Sequence, residues 1–202
     1  PSASNGSLMT APGMRRRLES IRDRGGKVIL VDPRKTETAS LTDQHHFIRP
    51  GTDVWLLGSL LQVIFAEGLD SVYTYDDLTR NLALLKQAVG EVTPERAALI
   101  TGIAEETIRN LAREFVRADR AVCYGRVGLS TQPHGGLCQW LINALNIVTG
   151  NIDRPGGIMF TRPAVDLISR SSTLKHFARW RSRVRQLPEL DGHLPVAAMA
   201  EE

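Results

Sequence analysis

The sequence predicts an α/β fold in which a parallel sheet is flanked by helices. Three observations predict it. Helical and strand patterns alternate along the chain. Val28, Ile29, Leu30 and Val31 form the unbroken apolar run of a strand buried on both faces. The helical stretches carry apolar residues at i, i+3, i+4 and i+7, one face of a 3.6-residue period.

The first helix is capped by Thr10, with Pro12 in its first turn. Met14, Leu18 and Ile21 share a face, and Gly25-Gly26 stops it. The strand Lys27–Asp32 follows. A loop, helix and strand in this order are the last two-thirds of a βαβ unit, so the N-terminus reads as a cut just after an earlier strand, and the domain as truncated at both ends. Thr52 or Asp53 caps a helix with the body Val54–Glu67. Asp76–Ala88 reads as another, with Leu78, Leu82 and Leu85 on one stripe. Thr93-Pro94-Glu95 opens a short helix to about Ile100, and Ala104–Arg117 places Ile108, Leu111, Ala112 and Phe115 on one face. Ala121–Val127 is predicted to be a second buried strand. Gly135–Val148 is an apolar helix expected to turn Leu137, Trp140, Leu141, Ala144, Leu145 and Val148 inward. After Pro163 the periodicity dissolves. The expected organisation is an α/β domain over residues 1–165 and an irregular basic tail, or connection to a next domain, over 166–202.

With 202 residues the chain can bury one good core or two small ones. Its 42% hydrophobic and 23% charged content excludes disorder and collagen-like repeats. The apolar stretches Val54–Leu57 and Leu60–Ala66 fall short of the roughly 20 residues that cross a bilayer, so no membrane segment is expected. No signal peptide opens the chain, and a cytoplasmic address is the expectation. The net charge of +3 is uneven, with Arg15, Arg16, Arg17, Arg22 and Arg24 near the start and Arg170, Lys175, Arg179, Arg181, Arg183 and Arg185 near the end. No nucleic-acid-binding motif accompanies either cluster, so both read as solvated faces. Cys123 and Cys138 have neither zinc nor iron–sulfur spacing. His45 and His46 lack a third ligand and, on a strand, point to opposite faces. No metal ligand and no catalytic residue is assigned.

Four segments carry candidate chemistry. Asp32, at the end of a strand, is placed to accept hydrogen bonds from a ribose diol, and Arg34 offers a planar donor fork. Thr36 and Thr38 add hydroxyls at the same rim. Asp-Pro also initiates ordinary turns, and spacing alone leaves both readings open. In Arg49-Pro50-Gly51-Thr52-Asp53, Gly51 allows close approach of a ligand, and the helix start favours an anion. A carboxylate at Asp53 can accept both N–H groups of a guanine edge, or act as a plain cap. Gly125 to Gln132, leading into Gly135-Gly136, lies where open α/β sheets place their ligands. Thr149-Gly150-Asn151 and Pro155-Gly156-Gly157 read as turns.

Taken in order, these segments resemble the dimethyl sulfoxide reductase family of molybdopterin oxidoreductases, which includes formate dehydrogenases and assimilatory nitrate reductases. The resemblance runs from Ser2 to Asp166. It is carried by Ser4-Asn5-Gly6-Ser7, Asp32-Pro33-Arg34 with Thr36-Glu37-Thr38-Ala39, Asp43, His45, and Arg49 through Asp53. Thr101-Gly102-Ile103, Gly125 through Gly135, Leu145 to Asn151 and Pro155-Gly156-Gly157 complete it. Two positions depart from the usual pattern: Thr42 stands where Ala is common, and Val127 where Met is frequent.

The resemblance implies a dinucleotide-binding-like domain that holds part of a bis-molybdopterin guanine dinucleotide cofactor with molybdenum or tungsten. It implies that Asp32, Arg34, Gly51 and Asp53 contact the guanosine end of one dinucleotide. Val127, Gly128 and Thr131 then run along the pterin or pyrophosphate side, and Asn5 and Ser7 belong to a first phosphate-facing loop. The protein ligand to the metal, an iron–sulfur cluster in the N-terminal part and the second dinucleotide site are expected outside this stretch, so the fragment alone is expected to be inactive. The implied partners are a small-molecule substrate, the remaining domains of the enzyme and an electron-transfer partner. Two other readings stay open: a nicotinamide- or flavin-binding α/β domain, which lacks its Gly-x-Gly-x-x-Gly signature here, and a non-catalytic interaction fragment with a basic docking tail.

Overall fold

In the computed structural model, residues 11–71, 79–159, 164, 177–190 and 193–201 are described. Helix α1, Met14–Asp23, leads into strand β1, Ile29–Val31, and a short 3-10 turn, Glu37–Leu41, connects it to β2, Gln44–His46. The two strands pair in parallel, with Ile29 opposite Gln44 and Val31 opposite His46. Asp43 locks this corner: its Oδ2 accepts the Val28 N–H at 2.8 Å and its Oδ1 accepts from Arg22 of α1 at 2.9 Å. Those donors hold the Asp43 carboxyl below the usual carboxylate range, the Val28 amide contributing most.

Helix α2, Asp53–Ala66, is apolar almost all the way round, which is the signature of a helix buried on every side. It is the hub. Around it pack α3 (Leu82–Val89), α4 (Pro94–Thr101), α5 (Glu105–Arg117) and α6 (Gly135–Val148). One face of α2 puts Leu57, Leu61 and Ile64 against Leu141, Leu145 and Val148 of α6. The other puts Leu56 against Ala97, Ile103 and Ile108, with Val31 of β1 at the edge. Full burial of a side chain such as Leu61 or Ile108 contributes about 1.5–3 kcal/mol. At the far end of α2, Arg113 of α5 forks onto Glu67 with bonds of 2.9 and 2.8 Å.

The ends of α4 obey the signals that predict them, whereas α1 starts only at Met14, after Gly13 rather than with Pro12 in its first turn. Thr93 caps α4 by accepting the Arg96 N–H, Pro94 occupies the first turn, and Gly102 closes it with φ +81°. The predicted helix over Asp76–Ala88 differs. Residues 76–78 lie outside the described residues, and Asn81 adopts a left-handed φ of +64°, so the helix starts only at Leu82.

Two expectations need correction. The predicted strand Ala121–Val127 has no strand partner among the described residues: residues 121–126 are irregular backbone, and Val122 and Tyr124 are exposed. Side-chain amides take the place of a neighbouring strand. Buried Asn146 of α6 accepts the Cys123 N–H at 2.9 Å and donates to the Cys123 carbonyl at 2.9 Å. Asn151 accepts the Ala121 N–H at 3.2 Å. Among the described residues the parallel sheet therefore has two strands. The second correction concerns the face of α6. Of the residues expected to turn inward, Leu141, Ala144, Leu145 and Val148 are buried, but Leu137 and Trp140 are exposed, and Cys138 and Ile142 are buried in their place.

The chain divides into two compact units, Pro1–Met159 and Phe160–Glu202. In the second, the stretch expected to be irregular holds an antiparallel pair, β3 (Phe177–Arg181) with β4 (Pro188–Leu190). Strands of five and three residues are too short for a period of two to stand out in the sequence. Buried Glu189 accepts the Arg179 N–H at 2.9 Å, and Ser182 donates its N–H to the Leu187 carbonyl at 3.0 Å. Among the described residues, no helix is long and apolar enough to cross a membrane.

Candidate functional site

The turn before α2 is built by Arg49. Its guanidinium donates to the carbonyls of Leu99 and Ile100, and its N–H donates to Thr101 O at 2.9 Å, so it satisfies the C-terminal carbonyls of α4. Thr52 folds back through its hydroxyl onto Arg49 O at 2.7 Å. Between them Gly51 takes φ +81°, a conformation that favours glycine. Asp53 then enters as the first residue of α2, not as its cap; Thr52 holds the cap position and makes no side-chain capping bond.

One oxygen of the Asp53 carboxylate already has a partner. Its Oδ2 accepts a hydrogen bond of 2.9 Å from Gln132 Nε2, across 79 residues of sequence. A Cβ placed on Gly51 would have one neighbour within 4 Å, the Gln132 Oε1 at 3.9 Å. The structure thus brings two predicted segments together: Gly51 and Asp53 on one side, the loop from Gly125 to Gln132 on the other. In that loop Val127–Ser130 forms a single helical turn, and the Thr131 hydroxyl donates to Val127 O at 3.0 Å. Val127, Gly128 and Thr131 are exposed, and nothing lies within 4 Å of a Cβ placed on Gly128. Gln132 stands in the candidate loop, yet its sequence context gives no sign of the Asp53 contact. Only the fold supplies that pairing.

Asp32 and Arg34 form a different group. Asp32 Oδ1 accepts the Arg34 N–H at 2.8 Å, so the Asp-Pro turn is present. Asp32 O meets His45 Nε2 at 3.1 Å, and Asp32 N–H donates to His46 O at 3.2 Å. The Arg34 side chain is exposed and makes no ion pair among the described residues. No hydrogen bond among the described residues joins Asp32 or Arg34 to Asp53. Of the two rim hydroxyls, Thr36 Oγ1 is buried without a hydrogen-bond partner among the described residues. Asn5 and Ser7 lie outside the described residues. His45 and His46 face opposite sides of β2, and the described residues hold no cluster of three or more metal-ligating groups. A cleft of about 290 Å³ lined by Gln44, His46, Thr107, Asn110, Leu111 and Glu114 includes none of the predicted site residues. Burial lowers the His46 pKa there, so its ring is neutral at pH 7.

Both cysteines are held as thiols. Burial pushes Cys123 up to about 12. Burial, and then the nearby Asp53 charge, raises Cys138. The thiolate is the reactive form, so neither cysteine should label with Ellman's reagent in the folded chain at pH 7.5. Denaturation should release both free cysteines, read as two equivalents of thiolate product; labelling of the folded chain would contradict this.

No family model matches the chain. Individual proteins do. The F420-dependent formate dehydrogenase subunit alpha of Methanocaldococcus jannaschii is 33% identical over 145 residues, 72% of this chain and 22% of that protein. The nitrate reductase of Symbiobacterium thermophilum is 35% identical over 148 residues, covering 67% of this chain and 19% of its own length. The thiosulfate reductase molybdopterin-containing subunit PhsA of Salmonella typhimurium is 31% identical over 143 residues, 70% of this chain and 19% of that subunit. Among solved structures, acetylene hydratase from Pelobacter acetylenicus superposes with a TM-score of 0.66 at 26% identity, over 72% of this chain and 20% of that one.

These similarities give the class: over about 145 of its residues the chain is homologous to subunits of molybdopterin oxidoreductases. Its particular relatives are formate dehydrogenase, nitrate reductase and thiosulfate reductase subunits, of which it spans about a fifth of the length. They favour the molybdopterin reading over a nicotinamide- or flavin-binding one.

Proposed function

We propose that this chain is the part of a molybdenum or tungsten oxidoreductase that holds the guanosine end of a bis-molybdopterin guanine dinucleotide, in an α/β domain of dinucleotide-binding type. The observation that carries the proposal is the junction of the Gly51–Asp53 turn with the Gly125–Gln132 loop through the Gln132–Asp53 bond. The residues present suit such a ligand. Gly128 leaves open space where a side chain would otherwise stand, and Gly51 keeps its turn in the left-handed conformation beside Gln132. Asp53 presents a partly buried carboxylate at a helix start, and its Oδ1 makes no hydrogen bond among the described residues.

In this reading Asp53 accepts the N1–H and N2–H of guanine. Asp32, with the oxygen that its turn leaves over, accepts from a ribose hydroxyl, and Arg34 meets a phosphate or base edge. Val127, Gly128 and Thr131 line the pterin or pyrophosphate side, and Asn5 and Ser7 a phosphate-facing loop. When bound, the metal and its pterins supply the two-electron or oxygen-atom transfer; this chain binds and orients. The substrate, the remaining domains, an iron–sulfur cluster and an electron-transfer partner belong to the whole enzyme, which we place in the cytoplasm.

The test is nucleotide binding. GDP should raise the thermal unfolding midpoint of the chain, and NAD should leave it unchanged. Asp53→Ala should weaken GDP binding by about 1.5–3 kcal/mol, the worth of a charge-assisted hydrogen-bonded contact. Calorimetry showing equal GDP affinity in wild type and Asp53→Ala would reduce Asp53 to a helix-start residue.

A further inference from the structure

We infer that Gln132 is a positioning residue that sets the Asp53 carboxylate for discrimination of the guanine edge; this rests on the proposed function above. The geometry carries it. Gln132 Nε2 donates to one Asp53 oxygen at 2.9 Å, and Asp53 Oδ1 is left without a partner among the described residues. A carboxylate has about four acceptor positions. One bond from Gln132 therefore fixes the carboxylate plane and leaves both oxygens able to accept.

The tether is itself held. The Gln132 carbonyl accepts the Gly135 N–H at 3.0 Å where the chain turns into α6, and the Gln132 amide lies along the open side of Gly51. No cation is hydrogen-bonded or ion-paired to Asp53 among the described residues. In an unrestrained Asp53 the χ2 torsion is broad, and the two oxygens are free to rotate away from a planar base edge. Guanine offers two N–H donors on that edge, and hypoxanthine offers one. A fixed carboxylate plane rewards the second donor; a rotating one does not.

Discrimination between GDP and IDP is therefore the readout. A residue that only supports the fold weakens both nucleotides alike; a positioning residue changes their ratio. The wild-type chain should bind GDP about tenfold more tightly than IDP, the worth of one added hydrogen bond to a charged acceptor. Gln132→Ala should bring that ratio close to one, with IDP affinity little changed.

Gln132→Glu supplies a second test that does not depend on the alanine variant folding. Two facing carboxylates cannot both ionise easily, so one pKa rises. Below that raised pKa the protonated Glu side chain donates to Asp53 as the amide did, and the GDP preference returns. Above it, two negative charges face each other and the preference is lost. The ratio in Gln132→Glu should thus be high at pH 5 and low at pH 8, while wild type stays flat.

Calorimetric titration of the full chain with GDP and with IDP reads all of these. If wild type binds no GDP, the proposed function fails and Gln132 loses its role with it. If wild type binds GDP with the expected preference and Gln132→Ala keeps the ratio, or Gln132→Glu shows no pH dependence, the role of Gln132 is overturned and the nucleotide site stands.

Discussion

Replacing Asn146 by Ala should lower the unfolding free energy by about 3 kcal/mol, since buried polar groups left unpaired cost about 1–3 kcal/mol each. Asn146 is fully buried on α6, and its amide serves three backbone groups. It accepts from Cys123 N–H, donates to Cys123 O at 2.9 Å, and donates to Ile142 O at 2.8 Å. Alanine keeps the helix but removes the side-chain partner of both polar groups of Cys123. Urea denaturation checks this: the midpoint should fall with the slope unchanged, the mark of lost stability without a change in exposed area. Asn143→Ala, on the exposed side of the same helix, should stay within about 0.5 kcal/mol of wild type. Equal effects at the two positions would mean that the Asn146 bonds contribute nothing net.

Gly135→Ala should cost about 3 kcal/mol, at the top of the usual range for forcing extra atoms into a packed site. A Cβ on Gly135 would stand 2.1 Å from the Ser130 carbonyl oxygen and 2.6 Å from its carbon. Both are backbone atoms, so no side chain can swing aside. The helix start or the Val127–Ser130 turn has to move, and the second of these carries the proposed pterin-side residues. Gly136 is the internal control, because nothing lies within 4 Å of its Cβ position. There, Gly136→Ala should be neutral or stabilising by up to about 1 kcal/mol through helix propensity. Paired denaturation curves test the contrast, and amide exchange at Leu129–Thr131 should accelerate in Gly135→Ala alone. Two superimposable curves would contradict it.

Both positions show what the sequence reveals and what it hides. The limits of α4 and α6 are readable because their causes are local. Gly135–Val148 is the predicted and the observed span, and Pro94 with Gly102 brackets α4 as its cap chemistry dictates. The inward face of α6 was harder. Apolar residues occupy two adjoining stripes, and only packing against α2 decides that Leu141 and Leu145 go in while Leu137 and Trp140 stay out. The stretch from Ala121 misled for a related reason. Its residues are strand-like, but whether a strand forms depends on a partner remote in sequence. Here the partner is an amide on a helix.

The candidate site divides in the same way. The Asp53 turn and the loop ending at Gln132 stand out as glycine- and polar-rich punctuation. Their meeting across 79 residues does not. Asp32 stays where its Asp-Pro turn puts it, joined to β2 through His45 and His46.

The amide-held segment bears on how the molecule assembles. Its anchor lies only 23 residues downstream, whereas a conventional sheet position would wait for chain ends much further apart to meet. Closing a short loop is fast and loses little entropy. Residues 121–126 can therefore reach their final place as soon as α6 has formed, whatever the state of the β1–β2 pair. The wall that carries the proposed pterin-side loop would be an early product of folding, ready before the rest of the proposed nucleotide site forms around it.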